Sequence, residues 1–412
     1  MNELLLRIRG FVTESNKLTL IYAIFMAVQV LGFVPNVPQV IVYAVLILFA
    51  FTCIMRARST NYYILALLAY IPLEILIANP PSFFSPWLRY FLFALLLLCV
   101  SPLLQSETLR EQRVTMLRVF LWTAVVIGVG SFFAYYLGIN YMKASQMDTV
   151  MAVGTFGGLT THSMLLGPLA GVGALFLIYK AYAQQKNWYW LFAVLCIATS
   201  FMASSRTAVL AVLGAATLMI YKMSGSGGRF AQTILFIVLL AAITYPLWES
   251  LLSGIMSKQA QFESQGQFGS RTDLWLARLK EIKENPVFGV GFVSTAVKSL
   301  AGVDTVSGRV ESGSSWLIIP SMLGLVGTII VVPFFIKCFR KVWVKDDMTS
   351  HLCLGLLTFY FIHMVAEGYI FAGGSYMCFG LWLVCGCCVD RDYDMYEDEY
   401  EHKQEKKEQN GI

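Results

Sequence analysis

What constrains this chain most is a succession of apolar runs of roughly membrane-spanning length, returning from residue 18 to residue 389 with mostly short polar breaks. Lipid offers no hydrogen-bond partner to a peptide group, so a run that crosses it must satisfy its own backbone, and the helix does this locally. The runs fall at 18–34, 39–55, 61–78, 87–104, 114–138, 163–180, 188–203, 207–223, 230–253, 314–337, 350–371 and 373–389. The expected fold class is an all-α polytopic membrane protein with about twelve transmembrane helices. Composition agrees, since only 13% of residues are charged where a soluble chain carries about 25%. A single transmembrane domain is expected over 1–389. The remainder, 390–412, is rich in Asp, Glu, Lys, Tyr and Gln, cannot bury a core and is expected to be a disordered cytoplasmic tail.

Charge sets orientation rather than partner. The net +5 is spread over many short loops and forms no basic face, which argues against nucleic acid. Lys and Arg of short loops stay cytoplasmic. Arg7, Arg9 and Lys17 precede the first run, Arg56 and Arg58 follow the second, and Arg110, Arg113 and Arg118 follow the fourth. Lys180 and Lys186, Lys222 and Arg229, then Lys337, Arg340, Lys341 and Lys345 continue the pattern after the sixth, eighth and tenth. Alternate loops are nearly free of positive charge, so both termini are expected in the cytoplasm and the polar stretch 254–316 outside. The nine cysteines all lie in or beside apolar runs, and Cys385, Cys387 and Cys388 have no histidine or second pair near them in sequence, so neither a disulfide framework nor a metal site is expected. No cleaved leader and no internal repeat is evident.

Ionisable residues inside spans are costly and mark function by default. Glu74, Arg89, Glu249 and Glu367 lie near the outer ends of their runs, and Arg206 sits at an outer turn within Ser204-Ser205-Arg206-Thr207. Glu74 and Arg89 either pair across their short loop or serve a substrate, and Glu249 reads as interfacial. His162 either touches substrate or satisfies a turn. The cytoplasmic half shows no obvious buried charge. A transport path needs polar groups along its depth, whereas chemistry on a lipid-linked headgroup needs them at one leaflet.

The outer stretch has its own organisation. Ser270 followed by Asp273 reads as a helix start. Arg271, Trp275, Arg278 and Ile282 then recur on one helical face, and Pro286 ends the element at Asn285. This helix either anchors on the bilayer surface or closes over a site and presents its arginines to a pyrophosphate. Gly289-Val290-Gly291 lacks the third glycine of a phosphate loop and reads as a tight turn. Glu311, before Ser312-Gly313-Ser314-Ser315-Trp316, is placed either as a general base or as a helix cap.

These residues carry a family resemblance. Gly269-Ser270-Arg271 with Trp275, then Asn285-Pro286, Gly289-Val290-Gly291-Phe292, and the Trp316-Leu317 entry to a helix containing Gly324-Leu325-Val326-Gly327 resemble the O-antigen ligase and polymerase superfamily. Ser205-Arg206-Thr207 is similar to its Ser-Arg-Thr segment, and Gly154-Thr155-Phe156-Gly157 with His162-Ser163 to its glycine-phenylalanine segment. The resemblance implies a GT-C-like, metal-independent, cofactor-free membrane glycosyltransferase of the bacterial inner membrane. It would act on undecaprenyl-pyrophosphate-linked oligosaccharide at the periplasmic face, with a chain-length regulator as a further partner. Carried onto this chain, the arginines thought to hold the donor pyrophosphate are Arg206 and Arg271, with Arg278 beside them; His162, Arg89 and Glu367 are candidate substrate contacts. The ligase branch has a histidine where Glu311 stands here, which favours a polymerase of O-antigen or exopolysaccharide repeats with Glu311 as base. The alternatives are a ligase transferring a finished glycan to a lipid or protein, and a flippase of the same lipid-linked glycan.

Overall fold

The computed structural model describes residues 15–35, 37–142, 156–225, 227–228, 230–231, 271–296, 303–304, 309–311 and 313–390. The apolar runs become helices, and six of the helices start at a polar side chain that takes one of the first unpaired amides. In chain order they are α1 (Ser15–Val28), α2 (Gln39–Arg56), α3 (Tyr62–Ala78), α4 (Pro86–Val100), α5 (Glu107–Tyr136), α6 (Ser163–Gln184), α7 (Trp188–Met202) and α8 (Arg206–Ser224). Then follow α9 (Thr272–Glu284), α10 (Ser315–Val344), α11 (Met348–His363) and α12 (Tyr376–Val389). Side chains of Asn61, Ser106, His162, Ser314, Asp347 and Ser375 accept amide hydrogens at the starts of α3, α5, α6, α10, α11 and α12.

Among the described residues, six stretches are long and apolar enough to cross a membrane, and five shorter apolar helices accompany them. The chain is therefore a multi-pass helical membrane protein. Of those six the most enclosed is α6, which packs against α5, α7, α8 and α11. The only strands among the described residues are two-residue ladders: Ser59–Thr60 against Leu104–Gln105, and Val303–Asp304 against Arg309–Val310.

Several boundaries differ from the sequence expectation. The expected span 230–253 lies, beyond residue 231, outside the described residues, as do Glu249, Ser270 and the tail after Asp390. The expected run 350–371 stops as a helix at His363, and residues 364–375 fold back without helix before α12 begins. The end opposite those residues also holds buried charge: Arg113 is 2% exposed and pairs with Asp390, itself buried at the end of α12. Sequence pattern placed Asp390 in the tail and Arg113 in a solvated loop, because charge counting does not reveal which loop residues fold inward.

The structural centre is a break in α10. Gly324 has φ +63°, which interrupts the helix inside the span. A break at membrane depth frees carbonyls and amides that must find partners. The carbonyls of Ser321 and Met322 accept from Val290 N (2.9 Å) and Gly291 N (3.2 Å), and that of Leu323 accepts from the Tyr70 hydroxyl (2.9 Å). On the far side Leu325 N donates to Pro286 O (2.9 Å) and Val326 N to Val287 O (3.4 Å). The Asn285–Gly291 segment thus fills the break with its own backbone. Contact is so close that a Cβ on Gly324 would lie 2.1 Å from Val287 O, and one on Gly289 2.3 Å from Met322 O.

Gly324→Ala combines that overlap with a left-handed backbone costing about 1–3 kcal/mol by itself. Its unfolding midpoint in detergent is expected to fall clearly below wild type, while Gly227→Ala, where a Cβ meets nothing within 4 Å, leaves it unchanged. Equal midpoints for the two variants would rule out the interlock.

Candidate functional site

The docked segment carries α9 with it. Within α9, Leu274, Arg278 and Glu281 are buried, so the face picked out by the spacing of Arg271, Trp275 and Arg278 turns into the protein. The helix starts at Thr272 with Arg271 in the capping position. Glu281 is the hub of the attachment. Its carboxylate accepts from Arg278 Nη1 (2.7 Å), Ser321 Oγ (2.5 Å), Ala296 N (2.7 Å) and the Thr295 hydroxyl. Arg278 Nη1 also donates to Ser294 O at 3.1 Å. At the far end Glu74 Oε2 accepts from Phe292 N (2.9 Å), and the fully buried Phe292 ring packs on Phe93 and Phe371.

Trp275 Nε1 donates to Gly313 O (2.9 Å), which fixes the approach to α10 beside the first turn of α9. Across from it, Ser315 holds the fold-back after α11. Its hydroxyl donates to Glu367 O (2.6 Å) and accepts from Tyr369 N (3.1 Å) and Ile370 N (3.3 Å). These two clamps bring three charged side chains together. Arg271 Nη1 pairs with Glu311, and Arg271 Nη2 with Glu367 Oε1 at 3.1 Å.

Around this triad lies a cavity of about 500 Å³. Its walls are the end of α1 (Met26, Gln29, Val30), the start of α6 (His162, Met164, Leu165), Arg271, Glu311 and Gly313, the fold-back from His363 to Tyr369, and Gly374 to Met377. Burial, and then the nearby Arg271 cation, hold the His162 imidazole below its usual range; its Nδ1 accepts from Met164 N (3.0 Å). Burial raises the Glu367 carboxyl above the ordinary carboxylate range, and Arg271 opposes the rise. Glu311 is the most open member of the triad, its side chain 51% exposed against 17% for Arg271 and 21% for Glu367.

Of the residues nominated from sequence, Arg271, Glu311, Glu367 and His162 line one cavity. Arg206 begins α8, half-buried, at a turn where Ser205 packs on Gly167 of α6, and it is not in the cavity wall. Arg89 lies half-buried in the first turn of α4, also outside that wall. Arg278 departs from the expected role: at 3% exposure its guanidinium is committed to Glu281, Ser294 and Ser321, and it holds α9 down instead of facing a substrate. Sequence reading missed His363 and Tyr369, whose side chains meet at 3.2 Å (Nδ1 to Oη) in the wall. A lone histidine inside an apolar run was the signal available for them. Among the described residues no group of His, Cys, Asp and Glu is disposed to hold a metal ion.

The geometry separates two arginines that share a helix face. Arg278→Ala strands the buried Glu281 carboxylate, a change costing about 3–5 kcal/mol, and is expected to reduce recovery of monodisperse protein. Arg271→Ala, at the cavity edge, is expected to leave recovery near wild type. Size-exclusion profiles of the two variants check this, and equal loss in both would contradict the separate roles.

Residues 191–332 match a protein-family model described as O-antigen ligase. No curated protein matches the chain. The matched stretch runs from α7 past the break in α10 and includes Arg206, Arg271, Arg278 and Glu311, while His162, His363 and Glu367 come from outside it. The Ser205-Arg206-Thr207 run, the motifs from Gly269 to Gly327 and the helix break at Gly324 lie within it, the Gly154–Gly157 segment lies before it, and residues 191–332 are thus similar to the O-antigen ligase family.

Proposed function

We propose that the protein is a membrane glycosyltransferase that joins undecaprenyl-pyrophosphate-linked oligosaccharide repeats into O-antigen or exopolysaccharide at the outer face of a bacterial inner membrane. The observation that carries this reading is the convergence of Arg271, Glu311, Glu367 and His162 in one cavity at one end of the bundle. In the reaction an acceptor sugar hydroxyl attacks the anomeric carbon of the donor. The new C–O bond forms as the bond to the pyrophosphate oxygen breaks, the electron pair leaves with the lipid pyrophosphate, and the hydroxyl proton passes to Glu311.

Glu311 suits the base because it is the open carboxylate of the triad. Arg271 suits the leaving group because its fork matches two phosphate oxygens as well as two carboxylates. An arriving pyrophosphate competes with Glu311 for Arg271, so donor binding releases the base as it captures the cation. Glu367, more buried, keeps Arg271 in place through the exchange. Arg206 supplies a second cation for the pyrophosphate when substrate bridges from the cavity toward α8. Orientation with both termini cytoplasmic follows from the alternation of basic loops.

A second reading, transfer of a finished glycan to a lipid or protein acceptor, is favoured by the description of the matched family as a ligase. Product sizing after reconstitution with a defined undecaprenyl-pyrophosphate oligosaccharide separates the two. A ladder of lengths supports polymerisation, a single transfer supports the ligase, and movement across the bilayer without a new glycosidic bond supports a flippase. Glu311→Gln is expected to lower ladder formation by about 10²–10⁴-fold, and Arg271→Ala by about 10²–10³-fold. Wild-type chain lengths from Glu311→Gln would remove that residue from the reaction.

A further inference from the structure

The end of the bundle opposite the cavity holds a second cluster of charged and polar groups. The cavity touches the start of α12, whereas Asp390 follows its last residue, so the two lie about 20 Å apart by the helix rise. The cluster is assembled by backbone pairing: Arg58 N donates to Gln105 O (3.0 Å), and the Ser59–Thr60 and Leu104–Gln105 ladder stitches the end of α2 to the start of α5. Cys53 Sγ, one turn before Arg56 on α2, meets Gln112 Oε1 at 3.9 Å, and Gln112 is the neighbour of Arg113 on α5, so the ladder and this contact bring the end of α2 against the start of α5.

The donors in this cluster outnumber the acceptors that meet them. Arg113 gives Nε to Asp390 and Nη1 to the carbonyls of Ser101 and Leu104, each at 3.1 Å. Its Nη2 meets no acceptor, although the residue is 2% exposed. The same holds for Nε2 of Gln112, 1% exposed, and for both Nη1 and Nη2 of Arg56. Leaving shielded donors unmet is costly, more so for charged ones. Asp390 shows that the cluster accepts an oxyanion: its carboxylate takes Arg113 Nε and lies 3.9 Å from Arg110 Nε.

We infer that Arg56, Gln112 and Arg113 form a phosphate-binding site at this end of the protein, filled by the headgroup of an anionic phospholipid. A phosphodiester brings two anionic oxygens to the planar fork of Arg56, and its remaining acceptors meet Gln112 Nε2 and Arg113 Nη2. Position favours the lipid source, because basic groups between helix ends at a membrane boundary recruit anionic headgroups. The site is independent of the glycan cavity.

The test uses the full chain in nanodiscs. Native mass spectrometry compares retained phosphatidylglycerol with phosphatidylcholine, and thermal unfolding in phosphatidylcholine discs is followed with and without inorganic phosphate. Wild type is expected to prefer phosphatidylglycerol, and Arg56→Gln to lose about fivefold of that preference. Arg58→Gln, which removes the same charge from an exposed neighbour, is expected to lose little. Phosphatidylglycerol selectivity alone identifies the lipid; stabilisation by inorganic phosphate that Arg56→Gln abolishes supports the site but assigns it to soluble phosphate. Equal losses in Arg56→Gln and Arg58→Gln would mean diffuse surface attraction and overturn the site, as would no preference in wild type.

Discussion

The interaction on which the rest depends is the exchange of hydrogen bonds between the Asn285–Gly291 segment and the break in α10. Helix within a span is closed on itself and offers a passing segment nothing. Opening it at Gly324 exposes three carbonyls and two amides, and the segment supplies matching groups from Pro286, Val287, Val290 and Gly291, with Tyr70 taking the third carbonyl. A segment that follows α9 is thereby welded to the bundle by backbone, which tolerates side-chain variation but not added bulk at Gly289 or Gly324.

Arg271 inherits its position at the cavity from that weld. The Glu281 hub ties α9 to Ser321, one turn before the break, and so sets the start of α9 over the end of α11. Arg271, at that start, reaches Glu311 on its own side and Glu367 on the bundle side. A buried pair such as Arg278 with Glu281 adds little net stability over an apolar substitute, yet breaking half of it is severe. Its value here is registration, because it allows one placement of α9 and therefore one placement of Arg271.

Much of this was legible in the sequence, and the failures have physical causes. Apolar runs located most helices because lipid leaves a spanning backbone few alternatives. Glu367 was nominated as a charge inside an apolar run, where charge is costly and so conspicuous, and Arg271, Glu311 and His162 by the outer stretch and the family resemblance; the structure places the four around one cavity. Periodicity put Arg271 and Arg278 on one face but is blind to depth: the first ends at a cavity and the second in a buried network. Hydropathy carried the eleventh run to 371 because Tyr369, Ile370 and Phe371 remain apolar after the helix has ended at His363. Arg206 and Arg89 begin α8 and α4 outside the cavity wall, a placement that sequence position does not encode.

Amide hydrogen exchange in the detergent-solubilised protein tests the central claim most directly. If the helix break is filled by the docked segment, the amides of Val290, Gly291, Leu325 and Val326 exchange as slowly as those of neighbouring α10 residues. Rapid exchange at Val290 and Gly291, in protein whose α10 amides stay protected, would show the segment to be undocked and contradict the account.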